Sequence, residues 1–179
     1  MRLKDKYYKE IAPQLKEKFG YKNIFEVPRL EKVVINVGFG RHAKEKEYIE
    51  SVVNNLMRIS GQKPILTKAR KSISSFKIRQ GMTIGAAVTL RKERMFDFLE
   101  KLINVTFPRV RDFRGISEKS VDKNGNLNIG FKEHLPFPEI KSDEVDRIHG
   151  LSVCITTNAK NREEGLELFR LMGFPFKKK

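Results

Sequence analysis

The sequence has no tryptophan and one cysteine, Cys154, among 179 residues. A single thiol rules out an intrachain disulfide, so packing and hydrogen bonding must hold the fold, and a reducing, cytosolic setting is expected. Long apolar runs are also missing. No stretch approaches the ~18 residues needed to span a bilayer. The opening Met1-Arg2-Leu3-Lys4-Asp5-Lys6 is charged, with no apolar run behind it, so no secretory signal is expected. The third shortage is acid. Lys and Arg number 37 against 22 Asp and Glu, which gives a formal net charge of +15 and a pI near 10.0. Self-repulsion at that charge opposes compaction, and a polyanion relieves it. Nucleic acid is the first candidate. An anionic membrane surface is the second, but the sequence has no helix with a basic face opposite Trp, Phe and Leu.

Groups for chemistry are sparse. His42, His134 and His149 are scattered, and none is spaced with Cys154 as a metal site requires. Cys154 sits in an apolar strand pattern, as a small sheet residue would. No paired-carboxylate or serine-elbow pattern stands out, so neither catalysis nor a cofactor is expected. Gly38-Phe39-Gly40-Arg41-His42-Ala43 fits a loose dinucleotide-binding pattern. That pattern needs an acid near the end of the next strand, where Lys68 and Arg70 stand instead. The plainer reading is a tight strand-to-helix turn whose glycines supply positive φ.

The 39% hydrophobic content, with 13 Phe, supplies one ordinary core. There is no internal repeat and no low-complexity linker, so a single domain over residues 1–179 is expected. The spacing of Tyr7 or Tyr8, Ile11, Leu15 and Phe19 predicts a helix from Leu3 to Phe19, stopped by Gly20 and open to a kink at Pro13. Helices are also predicted over Ala43–Ser60, Glu93–Val105 (with Pro108 following it) and Arg162–Met172. Alternation predicts strands at Lys32–Val37, Lys63–Thr67, Met82–Arg91 and Leu151–Thr157. Asn124-Gly125 marks a hairpin or loop. The mixture favours an α+β fold, an antiparallel sheet with helices packed mainly on one face. The other sheet face would carry Lys32, Asn36, Thr89, Arg91, Ser152 and Thr156, free to stay wet or to meet RNA.

The densest charge signal is Lys63 to Gly81. It holds Lys63, Lys68, Arg70, Lys71, Lys77 and Arg79, hydroxyls at Ser72, Ser74 and Ser75, the ring of Phe76, and no acid. Phosphate recognition wants this mixture of point charges, guanidinium forks and hydroxyls, although a solvated basic loop would look the same. A second basic knot, Arg109-Val110-Arg111-Asp112-Phe113-Arg114-Gly115, suits phosphates and bases or else pairs internally with Asp112 and nearby acids. Glu139, Asp143, Glu144 and Asp146 reverse the sign, and suit a helix start or a basic protein partner.

Several of these stretches are long enough to carry a family likeness. Val27-Pro28-Arg29, Lys32-Val33-Val34-Ile35-Asn36, Ser60-Gly61-Gln62-Lys63-Pro64, Thr67-Lys68-Ala69-Arg70-Lys71-Ser72 and Phe76-Lys77-Ile78-Arg79-Gln80-Gly81 contribute to it. So do Pro108-Arg109-Val110-Arg111-Asp112-Phe113-Arg114-Gly115, Phe137-Pro138-Glu139 and Gly173-Phe174-Pro175-Phe176. Together they resemble the bacterial branch of large-subunit ribosomal protein five, from end to end of the chain. The resemblance implies a structural protein that binds 5S rRNA and anchors it in the central protuberance. It also implies contacts with 23S rRNA, the elbow of the P-site tRNA, neighbouring 5S-binding ribosomal proteins and, across an intersubunit bridge, small-subunit protein thirteen. Carried over by position, the 5S contacts fall on Lys32, Asn36, Gln62, Thr89 and Arg91. The tRNA contacts fall on Lys68, Arg70, Lys71, Ser72, Lys77 and Arg79. The bridge falls on the region of Arg109, Arg111, Asp143, Glu144 and Asp146. Four of the five 5S positions are on the polar strand face already read from alternation.

Overall fold

The computed structural model describes residues 2–141 and 147–177. Its strands are β1 (Leu30–Gly38), β2 (Ile65–Lys68), β3 (Thr83–Leu90), β4 (Leu127–Phe131) and β5 (Leu151–Thr157). They form a five-stranded antiparallel sheet in the order β2-β3-β1-β5-β4, so the chain is α+β as expected. The period-2 patterns are realised directly. Val33, Ile35 and Val37, then Ala86, Val88 and Leu90, then Leu151, Val153 and Ile155, are all buried. Strand β4 follows the expected Asn-Gly turn. Asp122 Oδ1 accepts the N–H groups of Asn124 and Asn126 at 2.9 and 2.8 Å, and Gly125 takes a φ of 76°.

Helices are α1 (Leu3–Lys6), α2 (Ala12–Phe19), α3 (Lys46–Ser60), α4 (Lys92–Lys101), α5 (Phe107–Arg109) and α6 (Arg162–Leu171). Two wider π turns, Tyr7–Ile11 and Leu102–Thr106, join α1 to α2 and α4 to α5. Each ends two residues before a proline, Pro13 and Pro108. A proline ring collides with the carbonyl four residues back, here Lys9 and Asn104, and both lie inside the π turns. The helix therefore widens instead of breaking. This corrects the expectation that Pro108 follows a finished helix: it sits inside α5, and the helix ends only at Val110, which is extended at φ −69°, ψ 128°.

Contacts divide the chain into two compact units, Met1–Val33 with Leu90–Ile129 and Cys154–Lys179, and Val34–Thr89 with Gly130–Val153. In the first unit Ile11, Leu15, Leu99, Leu102, Phe107 and Phe169 are buried. Tyr7 donates its hydroxyl to the Pro28 carbonyl at 2.9 Å, and burial pushes its pKa up to about 12. Helix α6 begins with a reciprocal cap: Asn161 Oδ1 accepts from Glu164 N–H, and the Glu164 carboxylate accepts from Lys160 N–H, each at 2.9 Å.

In the second unit Val52, Leu56 and Ile59 of α3 are buried, as are Phe39 and Phe137. Two of the scattered histidines meet here. The rings of His134 and His149 stack at 3.9 Å and 7°, both buried. Asn55 Nδ2 lies 3.4 and 3.3 Å from their Nε2 atoms. His134 Nδ1 faces the His149 carbonyl at 3.2 Å, and His149 Nδ1 faces the Gly150 carbonyl at 3.4 Å. An amide with two hydrogens fits two neutral rings, each protonated on Nδ1 and accepting at Nε2. Burial holds both pKa values down, that of His149 to about 4 with help from His134. With Nε2 engaged, the pair reads as a polar clasp and not as metal ligands.

Candidate nucleic-acid interface

The sheet face opposite the core is shaped by the pleat. Along β1, Lys32 and Val34 are half-buried and Asn36 is exposed. Along β3, Ala87 is half-buried and Thr89 exposed, with Arg91 exposed just beyond the strand. On β5, Ser152 is exposed and Thr156 half-buried. Asn36 and Thr89 belong to the second unit; Lys32 and Arg91 continue the same stretches into the first.

Gln62 lies in the turn after α3. Gly61 ends that helix at φ 66°, and Gln62 N–H donates to Ser60 Oγ at 3.2 Å. The Gln62 side chain then donates from Nε2 to the Thr89 carbonyl at 3.2 Å. Pairing of β2 with β3 starts at Ile65↔Ala87, so beyond that point the Gln62 amide substitutes for a strand. Its placement is therefore partly structural, which its position in sequence did not reveal. Ile65, opposite Ala87 and so on the same face, is 72% exposed. This apolar surface was not foreseen. The face as a whole offers amide, hydroxyl and methyl groups with few charges, a composition suited to hydrogen bonding and shape.

The acid-free loop is more ordered than its composition suggests. Ala69 N–H donates to the Met82 carbonyl at 2.8 Å and Gly81 N–H to the Ala69 carbonyl at 2.9 Å. Ile73 and Ile78 exchange backbone bonds of 2.9 and 3.1 Å. Lys77 closes the tip in the left-handed region at φ 54°. The result is a small hairpin. Lys68, Arg70, Lys71, Lys77 and Arg79 are exposed on it, and none forms an ion pair among the described residues. Phe76 at the tip is 69% exposed. Ser72 accepts the Gln80 N–H on Oγ at 2.9 Å, so it helps to fold the hairpin it was expected to serve as a ligand.

Only two of the five bridge candidates lie among the described residues. Arg109 ends α5 and Arg111 follows it, both in the first unit. Asp143, Glu144 and Asp146 lie outside the described residues. Their neighbour Arg147 pairs with Glu45 and sits over the Tyr48 ring at 5.9 Å.

The Gly38–Ala43 segment departs from its reading as a glycine turn. Neither Gly38 nor Gly40 has positive φ. Gly40–His42 is a 3-10 turn, and α3 begins only at Lys46. No helix N-terminus faces the glycines, so a phosphate would find no cradle there. The pKa of Cys154 is raised by burial, which disfavours the nucleophilic thiolate.

Known proteins match the chain along nearly its whole length. Residues 23–79 match the family described as "Ribosomal protein L5", and residues 83–176 match the model for the C-terminus of the same ribosomal protein family. A large ribosomal subunit protein uL5 from Desulforamulus reducens is 55% identical over 177 residues, covering 99% of this chain and 98% of that protein. The uL5 protein of Clostridium acetobutylicum is 56% identical over 175 residues, covering 98% and 97%. The chain belongs to the ribosomal protein L5 family.

Proposed function

We propose that this protein anchors 5S rRNA through the open face of its sheet, with Asn36 and Thr89 as direct contacts and Lys32, Gln62 and Arg91 around them. It is a structural, non-enzymatic component of the large ribosomal subunit and works in the cytoplasm as part of the ribosome. The observation that carries the reading is the pair of exposed side chains, Asn36 and Thr89, on strands whose alternate residues are fully buried. A side chain fixed by a packed strand presents its donor and acceptor without further ordering cost, which suits a permanent RNA partner. The β2–β3 hairpin, with Arg70, Lys71, Lys77, Arg79 and the Phe76 ring, serves the P-site tRNA elbow. The acidic segment around Asp143, Glu144 and Asp146 serves the basic small-subunit protein thirteen. 23S rRNA and the neighbouring 5S-binding proteins complete the setting in the central protuberance.

Asn36→Ala and Thr89→Ala are the direct test, because each removes an exposed group that no described neighbour needs. Gln62→Ala is less clean, since it also uncaps the Thr89 carbonyl. In filter binding with 5S transcript, each of the two variants should lose about tenfold in affinity, near 1.4 kcal/mol. Thermal stability should stay within about 0.5 kcal/mol of the parent. Unchanged affinity in both variants removes the sheet face from the reading.

A further inference from the structure

Strand β2 is an outer strand of the sheet, beside β3 alone, and its outward side meets no other strand among the described residues. Which backbone groups lie on that side follows from its neighbour. The Thr89 carbonyl accepts from Gln62 on the β2 side, and the Ile84 carbonyl accepts from Phe39 N–H on the other. Backbone groups alternate along a strand, so Gly85, Ala87 and Thr89 turn theirs towards β2. The register sets Ile65 opposite Ala87 and Thr67 opposite Gly85. Those pairs carry the ladder bonds. The N–H and C=O of Leu66, between them, point away from the sheet at its open edge.

Such an edge is commonly guarded by proline, charge or a bulge. Here the guards stand only at the ends. Pro64 has no N–H to offer, and the register slips between Thr67 and Lys68. Between them the edge is apolar: Ile65 is 72% exposed and Leu66 45%. Leu66 lies opposite Ala86, which is buried. It therefore belongs to the core face of the sheet, yet the core runs out before covering it. Helix α3 contributes Ile49 and Val53, four residues apart on one stripe and both half-buried. With Leu66 they line an open groove of about 540 Å³. One more strand beside β2 would bond the Leu66 backbone and set its inward side chains into this groove.

Charge selects the occupant. Lys63 and Lys68 bracket the strand, both exposed, and no acid occurs from residue 63 to residue 81. A second copy of the chain would bring the same lysines to the seam on a body of formal charge +15, and like charges across a strand pair are unfavourable. RNA has phosphates for the lysines but no aliphatic side chain for the groove. An extended protein segment with apolar residues at alternate positions and acids at its ends satisfies the edge, the groove and the lysines together. We propose that the free edge of β2 and the groove beside α3 take such an acid-flanked segment of a partner protein, which adds to the sheet as a sixth strand through Leu66. The inference does not rest on the RNA-binding faces.

The test uses the full chain and a capped, labelled peptide, Glu-Glu-Thr-Val-Thr-Val-Thr-Glu-Glu. Fluorescence anisotropy should show saturable binding with a Kd on the order of 100 μM, and the same peptide with Lys for Glu should bind about tenfold more weakly. Leu66→Pro removes the outward N–H without touching the ladder to β3 and should cost about tenfold in affinity. The I49S/V53S variant empties the groove, leaves the edge intact and should also bind the peptide more weakly. Amide exchange followed by NMR reads the pairing itself. In the free chain Leu66 should exchange faster than Ile65 and Thr67, and the peptide should slow Leu66 selectively. A Leu66 amide already protected in the free chain overturns the inference, as does the absence of saturable binding up to about 1 mM. Equal peptide affinity in the parent and both variants overturns it as well. Protection of Leu66 by 5S transcript and not by the peptide assigns the edge to RNA and overturns it in that direction.

Discussion

The sheet face and the β2–β3 hairpin belong to the same unit, yet they are built on opposite terms. On the face, short polar side chains are fixed by strands whose other side is packed solid. Asn36 and Thr89 sit between Ile35 and Val37, and between Val88 and Leu90, all of them buried. On the hairpin, long cations and an exposed Phe76 project from a tip held by a few backbone bonds and a left-handed Lys77. The face can discriminate by the position of its donors and acceptors, because those positions are set when the core folds. On the proposed reading, the hairpin would attract a ligand by charge and stacking. The first suits a permanent partner of one shape and the second a ligand that comes and goes.

The largest effect should come from breaking the scaffold that the two surfaces share. His149 binds a proton near pH 6.5 when unfolded but resists it to about pH 4 when folded. The unfolded state then holds more protons, so stability falls as the pH falls. It is complete above about pH 6.5 and declines down to about pH 4, by an amount on the order of 3 kcal/mol. Urea midpoints at pH 7, 5 and 4 measure it. Midpoints that do not fall across that range would show that burial does not hold the His149 ring neutral.

Phe76→Ala sharpens the contrast from the other side. The ring is largely exposed, so its loss should leave stability nearly intact. If it stacks on a tRNA base, tRNA affinity should drop by about 1–3 kcal/mol while 5S affinity stays the same. Equal loss for both RNAs would erase the distinction between hairpin and face. The smallest effect should be a change of slope. Replacing Lys71 and Lys77 by Gln should reduce the salt dependence of tRNA binding by roughly 1 to 2 in log–log slope, and that of 5S binding hardly at all.

Much of this was legible from local pattern. Alternation in Lys32–Val37 and Met82–Arg91 already separated Asn36 and Thr89 from the core residues beside them, because a strand has only two faces. The absence of acid from Lys63 to Gly81 already marked that segment as basic, and its cations are exposed in the hairpin. Features that depend on distant partners were hidden. Pro108 read as a stop, since nothing local shows that a π turn will clear its ring. Strand β4 reads only as part of the hairpin or loop marked by Asn124-Gly125. His134 and His149, fifteen residues apart, looked scattered until the fold stacked them under Asn55.

The sequence by itself determined the fold class, the sign of the partner and which strand residues face outward. These follow from periodicity and charge, which act within a few residues. Only the tertiary structure decided that Gln62 caps Thr89, that Ser72 is spent on the hairpin, and that Phe113 stacks on buried Phe107. Each of these needs a backbone group or ring brought close from elsewhere in the chain, and burial of the core supplies the free energy that holds it there.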